Sequence, residues 1–347
     1  MADAYSSTDG GAAAWSGAVA APLAPDAQAD PRNDPRVLDA LQLAPALARS
    51  VSQVVLGDPA PVRLAVAAFV AGGHVLFEDT PGTGKTLLCK TLAAAIGGSF
   101  GRLQGTTDLL PSDVTGVSIY DSGPREWEFR PGPVFNHVVL VDELNRATPR
   151  TQSALLEAMA EQQVTVDGST HRLPEPFFVV ATQNPAGDLG TFPLVAGQRD
   201  RFTVSLSLGP PGRAAELRLV RGDGGEPRLA STGAVAPIER WIAVRAGIES
   251  VHLSDVVAGY GLDVIDAVRR RAGSAQAIST RAALALLRVA RGHAVTSGRI
   301  YVSPDDIQAI APAALAHRLL DATNGNLAAA RQLVFEAGSA IPVPPPG

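Results

Sequence analysis

The chain has 347 residues, of which 46% are hydrophobic and 18% charged, an ordinary globular balance that excludes a mainly disordered protein and leaves room for two domains. Its net charge of −5 and pI near 5.7 give no bulk electrostatic case for nucleic acid or an anionic membrane. A single cysteine, Cys89, and six scattered histidines exclude an internal disulfide framework and give no zinc-ligand spacing, so a reducing cytoplasm is expected.

Residues 1–34 are rich in Ala, Ser, Gly and Asp, with no Lys or Arg before Arg32. That composition reads as a disordered tail, not a signal peptide. Residues 35–71 read as helices around a break at Leu56-Gly57-Asp58-Pro59. From 74 to 208 the pattern turns α/β, with apolar strands at 74–78, 137–142, 177–181 and 203–207 and helices at 85–97 and 149–162. Such alternation predicts a parallel sheet flanked by helices. Two alternating stretches, 116–132 around Asp121-Ser122-Gly123-Pro124 and 163–173 around Asp167-Gly168, read as inserted hairpins. Gly209-Pro210-Pro211-Gly212 closes the α/β part. A smaller helical domain over 210–336 is expected next, with helices at 213–221, 237–249, 254–272, 280–296 and 304–319, then a Pro-rich tail at 337–347. No apolar run is long enough to cross a bilayer.

Within this frame the first strand runs into Asp79-Thr80-Pro81-Gly82-Thr83-Gly84-Lys85-Thr86 and then a helix. Strand, glycine-rich loop and helix form the setting in which backbone N–H groups and a helix dipole converge on phosphates. Lys85 would reach the β/γ-phosphates and Thr86 would bind Mg²⁺. Lys85 and Lys90 are the only lysines in an arginine-rich chain, so the loop keeps a compact ammonium where arginine would not fit. Asp79 departs from the general P-loop pattern, which has glycine there. Cys89, on the following helix, reads as a small buried residue.

The strand Val138-Val139-Leu140-Val141 ends in Asp142-Glu143. The tip of a doubly buried strand opens on the ligand crevice of a parallel sheet. There Asp142 would orient Mg²⁺ and Glu143 would polarise water; the plainer reading is a solvated acidic turn. A later strand runs into Asn184-Pro185. Asn184 would position the lytic water or sense the γ-phosphate, against a simple turn before proline.

In this order the motifs resemble the AAA+ ATPases, and more narrowly the MoxR family, over about Val37 to Leu319. The strings are Glu78-Asp79-Thr80-Pro81-Gly82, Leu109–Gly116 before the family's helix-2 insert, Asp142–Ala147 and Thr151–Met159 at Walker B, Ala181–Pro185 at sensor 1, Gln198–Phe202 at the arginine finger and Ser279–Ala282 at sensor 2. The resemblance makes the acid at Asp79 a familiar variant. It implies an AAA+ core followed by an all-α lid, with Mg-ATP between them. It also implies catalytic roles for Lys85, Glu143, Asn184 and Arg201, nucleotide contacts from 79–86, Asp142 and Arg281, and Mg²⁺ at Thr86 and Asp142. Arg201 would act in trans within a homo-oligomeric, hexameric ring. The implied work is chaperone-like remodelling of a protein client, often one with a von Willebrand factor A domain, with the hairpins as transmitters. Where the family has an acid and Leu, this chain has Ala196 and Arg199; Arg199 reads as a surface charge. Alternatives are a nucleotide-gated scaffold with little turnover, a magnesium-chelatase-like subunit and a DNA-acting motor, the last opposed by the acidic pI.

Overall fold

The computed structural model describes residues 31–79, 82–123, 125–183, 190–274 and 277–345. Residues 1–30 of the tail expected over 1–34, and Thr80, Pro81 and Asn184, lie outside the described residues; the rest of that stretch is ordered, with a 3₁₀ turn at Pro31–Asn33 and Asp34 capping the first helix. Two helices open the fold, α1 (Pro35–Val54) and α2 (Pro59–Val70). Asp34 and Asp58 start them, each side chain accepting a backbone N–H of the first turn, which satisfies one of the donors that a helix start leaves unpaired. Pro at the first helical position of both costs nothing there, because that N–H has no intrahelical partner.

The chain then alternates: β1 (Val75–Glu78), α3 (Lys85–Ala95), β2 (Phe100–Gln104), α4 (Pro111–Thr115), the hairpin β3 (Gly116–Asp121)–β4 (Glu126–Pro131), β5 (Val138–Asp142) and α5 (Pro149–Glu161). A second hairpin, β6 (Gln163–Val166)–β7 (Ser169–Arg172), precedes β8 (Phe178–Gln183), the short helix α6 (Ala196–Arg199) and β9 (Val204–Leu206). Five strands form one parallel sheet in the order β2-β5-β8-β1-β9. β2 has no counterpart among the strands expected from sequence. It is an edge strand of alternating burial whose Arg102 and Gln104 face solvent, so it lacks the apolar run that marked the central strands.

Alternate residues of each strand enter opposite cores. Val75, Phe77, Leu140 and Val180 join α1, α2 and α3 on one face. On the other, Leu76, Val139, Val141 and Val179 meet Leu155 and Met159 of α5. After β9 the chain is helical: α7 (Arg213–Val220), α8 (Glu226–Leu229), α9 (Ile238–Gly247), α10 (Asp255–Arg271), α11 (Thr280–Thr296), α12 (Pro304–Leu315) and α13 (Leu327–Ser339). α13 was not among the expected helices, and it runs past the expected boundary at 336 to Ser339. The helices α10–α13 share their apolar core with α1 and α2, so the two parts of the chain are joined by buried surface as well as by the linker. Among the described residues no helix is long and apolar enough to cross a membrane.

Candidate functional site

Parallel register aligns the strand tips. Gln104 lies opposite Asp142 and Glu78 opposite Gln183, so the polar ends of four strands share one edge of the sheet. At that edge a cleft of about 400 Å³ is lined by Gly82, Thr83, Gly84, Lys85 and Thr86 with Arg102, Gln104, Asp142, Glu143, Thr182 and Glu226. The structure thus gathers Gly82, Thr83, Gly84, Lys85 and Thr86 with Asp142 and Glu143, while Asp79, also expected there, does not line the cleft.

Two glycines of the described part of the loop take left-handed backbone shapes. Gly82 and Gly84 take φ of 87° and 95°, a region costly for side chains with a Cβ. Nothing lies within 4 Å of a Cβ on Gly82, and only Val55 Cγ1, at 4.0 Å, near one on Gly84. Their freedom is therefore conformational: it turns the backbone toward the cleft at the N-terminus of α3. Lys85 Nζ donates to Thr83 Oγ1 at 3.1 Å and to the Asp79 carbonyl at 3.5 Å. Burial lowers its pKa, while the charges of Asp79 and Asp142 pull it back up. A phosphate chain beside this ammonium, with Thr86 and Asp142 as oxygen donors to a hard cation, suits the residues present.

Asp79 has a different task from its neighbours. Its carboxylate accepts Ser207 Oγ, the Leu208 N–H at 2.7 Å and the Gly209 N–H at 3.4 Å. It ties the start of the phosphate loop to the segment that leaves β9 for the helical part. No left-handed φ is required at Asp79, which removes the conformational objection to an acid at this position.

The two acids at the tip of β5 are already engaged. Asp142 Oδ2 accepts from Arg102 Nε at 2.9 Å and pairs with its Nη2 at 2.8 Å. Glu143 Oε2 pairs with Arg146 at 3.1 Å and accepts from Gln104 Nε2 at 3.3 Å. Glu143 adopts a left-handed φ of 53°, a conformation that costs energy in a non-glycine residue and that surrounding structure must enforce. Two contacts do so: the Glu143 N–H donates to Thr182 Oγ1 at 2.9 Å, and Gly105 N donates to the Asp142 carbonyl at 2.7 Å. A Cβ on Gly105 would lie 2.2 Å from the Glu143 carbonyl oxygen, so only glycine allows this approach. Arg102, Gln104, Thr182 and Glu226 were missed from sequence. Assigning β2 as a strand in register with β5 would have found the first two.

Arg201 and Arg281 do not line the cleft. Arg201 faces a separate pocket with Ser153, Glu157 and Glu161 of α5, and Arg281 is exposed in the first turn of α11. Arg199 corrects the sequence expectation. Instead of a surface charge it is a buried guanidinium, donating to the Leu194 carbonyl at 2.6 Å and pairing with Asp321 at 2.8 Å. Cys89 is buried on α3 and burial raises its thiol pKa, which leaves it unreactive.

Residues 74–204 match the family described as "ATPase family associated with various cellular activities (AAA)", and 267–334 match the AAA lid domain. Bacillus subtilis YeaC is 42% identical over 296 residues, covering 85% of this chain and 92% of that protein. The chaperone MoxR1 of Mycobacterium tuberculosis is 36% identical over 78% of this chain and 74% of its own, and the MoxR protein of Paracoccus denitrificans 33% identical over 78% and 86%. A crystal structure of an ATPase candidate from Cytophaga hutchinsonii superposes with a TM-score of 0.77 at 34% identity, over 89% of this chain and 97% of that one. With the phosphate loop and the acidic tip of β5 across one cleft, these likenesses make the chain a member of the MoxR family of AAA+ ATPases.

Proposed function

We propose that the protein hydrolyses ATP with Mg²⁺ in the cleft between the 82–86 loop and the tip of β5, and uses the reaction to remodel or activate a protein client. The observation that carries this is the convergence of Lys85 and Thr86 with Asp142 and Glu143 on one cleft of about 400 Å³. The 79–86 backbone and Lys85 hold the phosphate chain, and Thr86 and Asp142 are the donors for Mg²⁺, which screens phosphate charge when bound. Glu143 orients water toward the terminal phosphorus. Asn184, just beyond Gln183 at the tip of β8, completes the water's placement. Arg281 reaches the nucleotide when the lid closes, and Arg201 serves the neighbouring protomer of a closed head-to-tail ring, taken as hexameric. Such trans arginines contribute 10³-fold or more in related phosphoryl transfers.

On the client side, the β3–β4 hairpin exposes Val117, Ile119, Tyr120 and Trp127, the last 71% exposed, with Tyr120 and Trp127 in edge contact at 5.5 Å. An exposed aromatic cluster on a hairpin suits contact with a partner; a von Willebrand factor A domain is the candidate we favour.

The test is ATP turnover of the wild type against Glu143→Gln, with fluorescent-nucleotide binding in parallel. The expected outcome is a loss of about 10²-fold or more in kcat with binding within twofold. A nucleotide-gated scaffold is a second reading, favoured by the Arg102 and Arg146 pairs that already hold Asp142 and Glu143. Equal, low rates for the two proteins select it.

A further inference from the structure

The segment that carries Arg201 is gripped by the helical part of the same chain. Asp200, the residue before Arg201, accepts Ser279 Oγ at 3.0 Å and pairs with Arg318 Nε at 2.7 Å. Ser279 is also the N-cap of α11, its Oγ accepting the Ala282 N–H at 3.0 Å, and Arg281 lies in that first turn. Arg318 Nη2 donates to the Phe202 carbonyl at 2.9 Å, which His317 Nε2 also meets at 3.0 Å. One residue further back, Arg199 pairs with Asp321 on the 3₁₀ turn Leu320–Thr323. Residues flanking Arg201 are thus fixed to the lid, while Arg201 itself points into the pocket beside α5.

The side chains of Arg318 and Arg199 are 4% and 7% exposed. A guanidinium this far from water needs its partners in place, because an uncompensated buried charge is strongly destabilising. Few alternative arrangements of 199–202 against the lid are therefore available, so the segment follows the lid when the lid moves. Burial lowers the Arg318 pKa, Asp200 opposes that, and the nearby charge of Arg281 adds to it, so α11, Arg318 and Asp200 also share one electrostatic neighbourhood.

We propose that the Ser279–Asp200–Arg318 and Arg199–Asp321 contacts form a clamp that moves Arg201 with its own protomer's lid, so that the nucleotide state met by Arg281 sets the reach of Arg201 toward the next protomer. Arg199, Asp200 and Asp321 are positioning residues. The proposal rests on the readings of Arg201 as a trans-acting group and Arg281 as a lid contact to nucleotide. It also gives the chain's unusual Arg199 a use: the arginine adds an ionic lid contact that a leucine cannot make.

The experiment uses the full chain with Mg-ATP. Arg201→Ala is measured first and is expected to lower kcat about 10³-fold or more with nucleotide affinity within twofold. Asp321→Ala removes a side chain that is 72% exposed and is expected to lower kcat about tenfold with KM within about twofold. In the Arg201→Ala background the same change is expected to leave the residual rate within about twofold, because a group acting through Arg201 has nothing left to act on. Multiplicative losses in the double variant would mark Asp321 as merely structural and overturn the clamp. A spin label on Val195→Cys, an exposed site, gives a readout independent of turnover; Cys89 is buried and stays unlabelled. Its line shape is expected to differ between Mg-ADP and a slowly hydrolysed Mg-ATP analogue, and to lose that difference in Asp321→Ala. A label blind to nucleotide in the intact chain overturns the proposal. If Arg201→Ala retains full turnover, the trans-finger reading fails by itself, and the label still decides whether segment and lid move together. Arg199→Met, which restores apolar packing, guards against misfolding of the Asp321 variant and is expected to behave like it.

Discussion

At the residue scale, Asp79 and Arg102 show how far a side chain's work can lie from its motif. Asp79 stands where the general phosphate-loop pattern has glycine, yet its carboxylate is committed to the 207–209 segment. Replacing it by glycine removes charge-assisted hydrogen bonds from a buried carboxylate, which are stronger than neutral ones. Asp79→Gly is expected to cost about 2 kcal/mol in urea unfolding; an unchanged unfolding midpoint would contradict the tie. Arg102 pairs with Asp142, the residue read as a Mg²⁺ donor. A guanidinium and a cation compete for one carboxylate, so Arg102→Gln is expected to lower the Mg²⁺ concentration needed for half-maximal nucleotide binding. A raised requirement would mean that Arg102 itself contacts the nucleotide.

At the scale of elements, the site depends on how β2 lies beside β5. The Gly105–Glu143 approach that follows from this pairing holds Glu143 in its left-handed turn. Gly105→Ala must displace that turn, since no side chain of the receiving group can move aside from a backbone oxygen. Turnover is expected to fall about tenfold or more, with nucleotide binding near wild type because the 82–86 loop is untouched. Loss of nucleotide binding would show that the disturbance spreads to the loop. On the lid, Ser279→Ala removes an N-cap and the Asp200 contact together. The expected cost is roughly 1–2 kcal/mol, read from thermal or chemical unfolding.

For the molecule as a whole, acid sensitivity is built into the junction of sheet and helices. His74 is buried: Nδ1 accepts the Val179 N–H at 3.0 Å and Nε2 faces the Met159 carbonyl at 3.4 Å. Burial, reinforced by the charge of Arg245, lowers its pKa to about 3. His317, buried between the lid and the Phe202 carbonyl, is lowered too, mainly by burial. Both must stay neutral in the fold, whereas in the unfolded chain they take up a proton near pH 6.5. The unfolded state therefore binds more protons below that pH. Stability is fully present above about pH 6.5 and falls as pH drops toward the folded values, by roughly 1.4 kcal/mol per unit for each histidine over the window in which only the unfolded form is charged. Urea unfolding at pH 7, 6 and 5 checks this, and a flat profile would show that the histidines stay neutral in both states.

The phosphate loop, the acidic strand tip, both hairpins and most helices were legible in the sequence, because each is a local signal: glycines before a lysine, an apolar run ending in acids, turn residues between alternating stretches, and a helical period with caps. β2 was not, since an edge strand with a polar face carries no such signal. The partners of side chains stayed hidden for a related reason. Arg199 read as a solvent charge because nothing near it in the chain announces Asp321, which lies more than a hundred residues away and meets it only when the lid is folded against the sheet. The same holds for Asp79 with 207–209 and Asp200 with Arg318. Local pattern specifies which groups are present and which backbone shapes they take; which charges are desolvated together, and therefore which parts of the chain move as one, follows only from long-range packing.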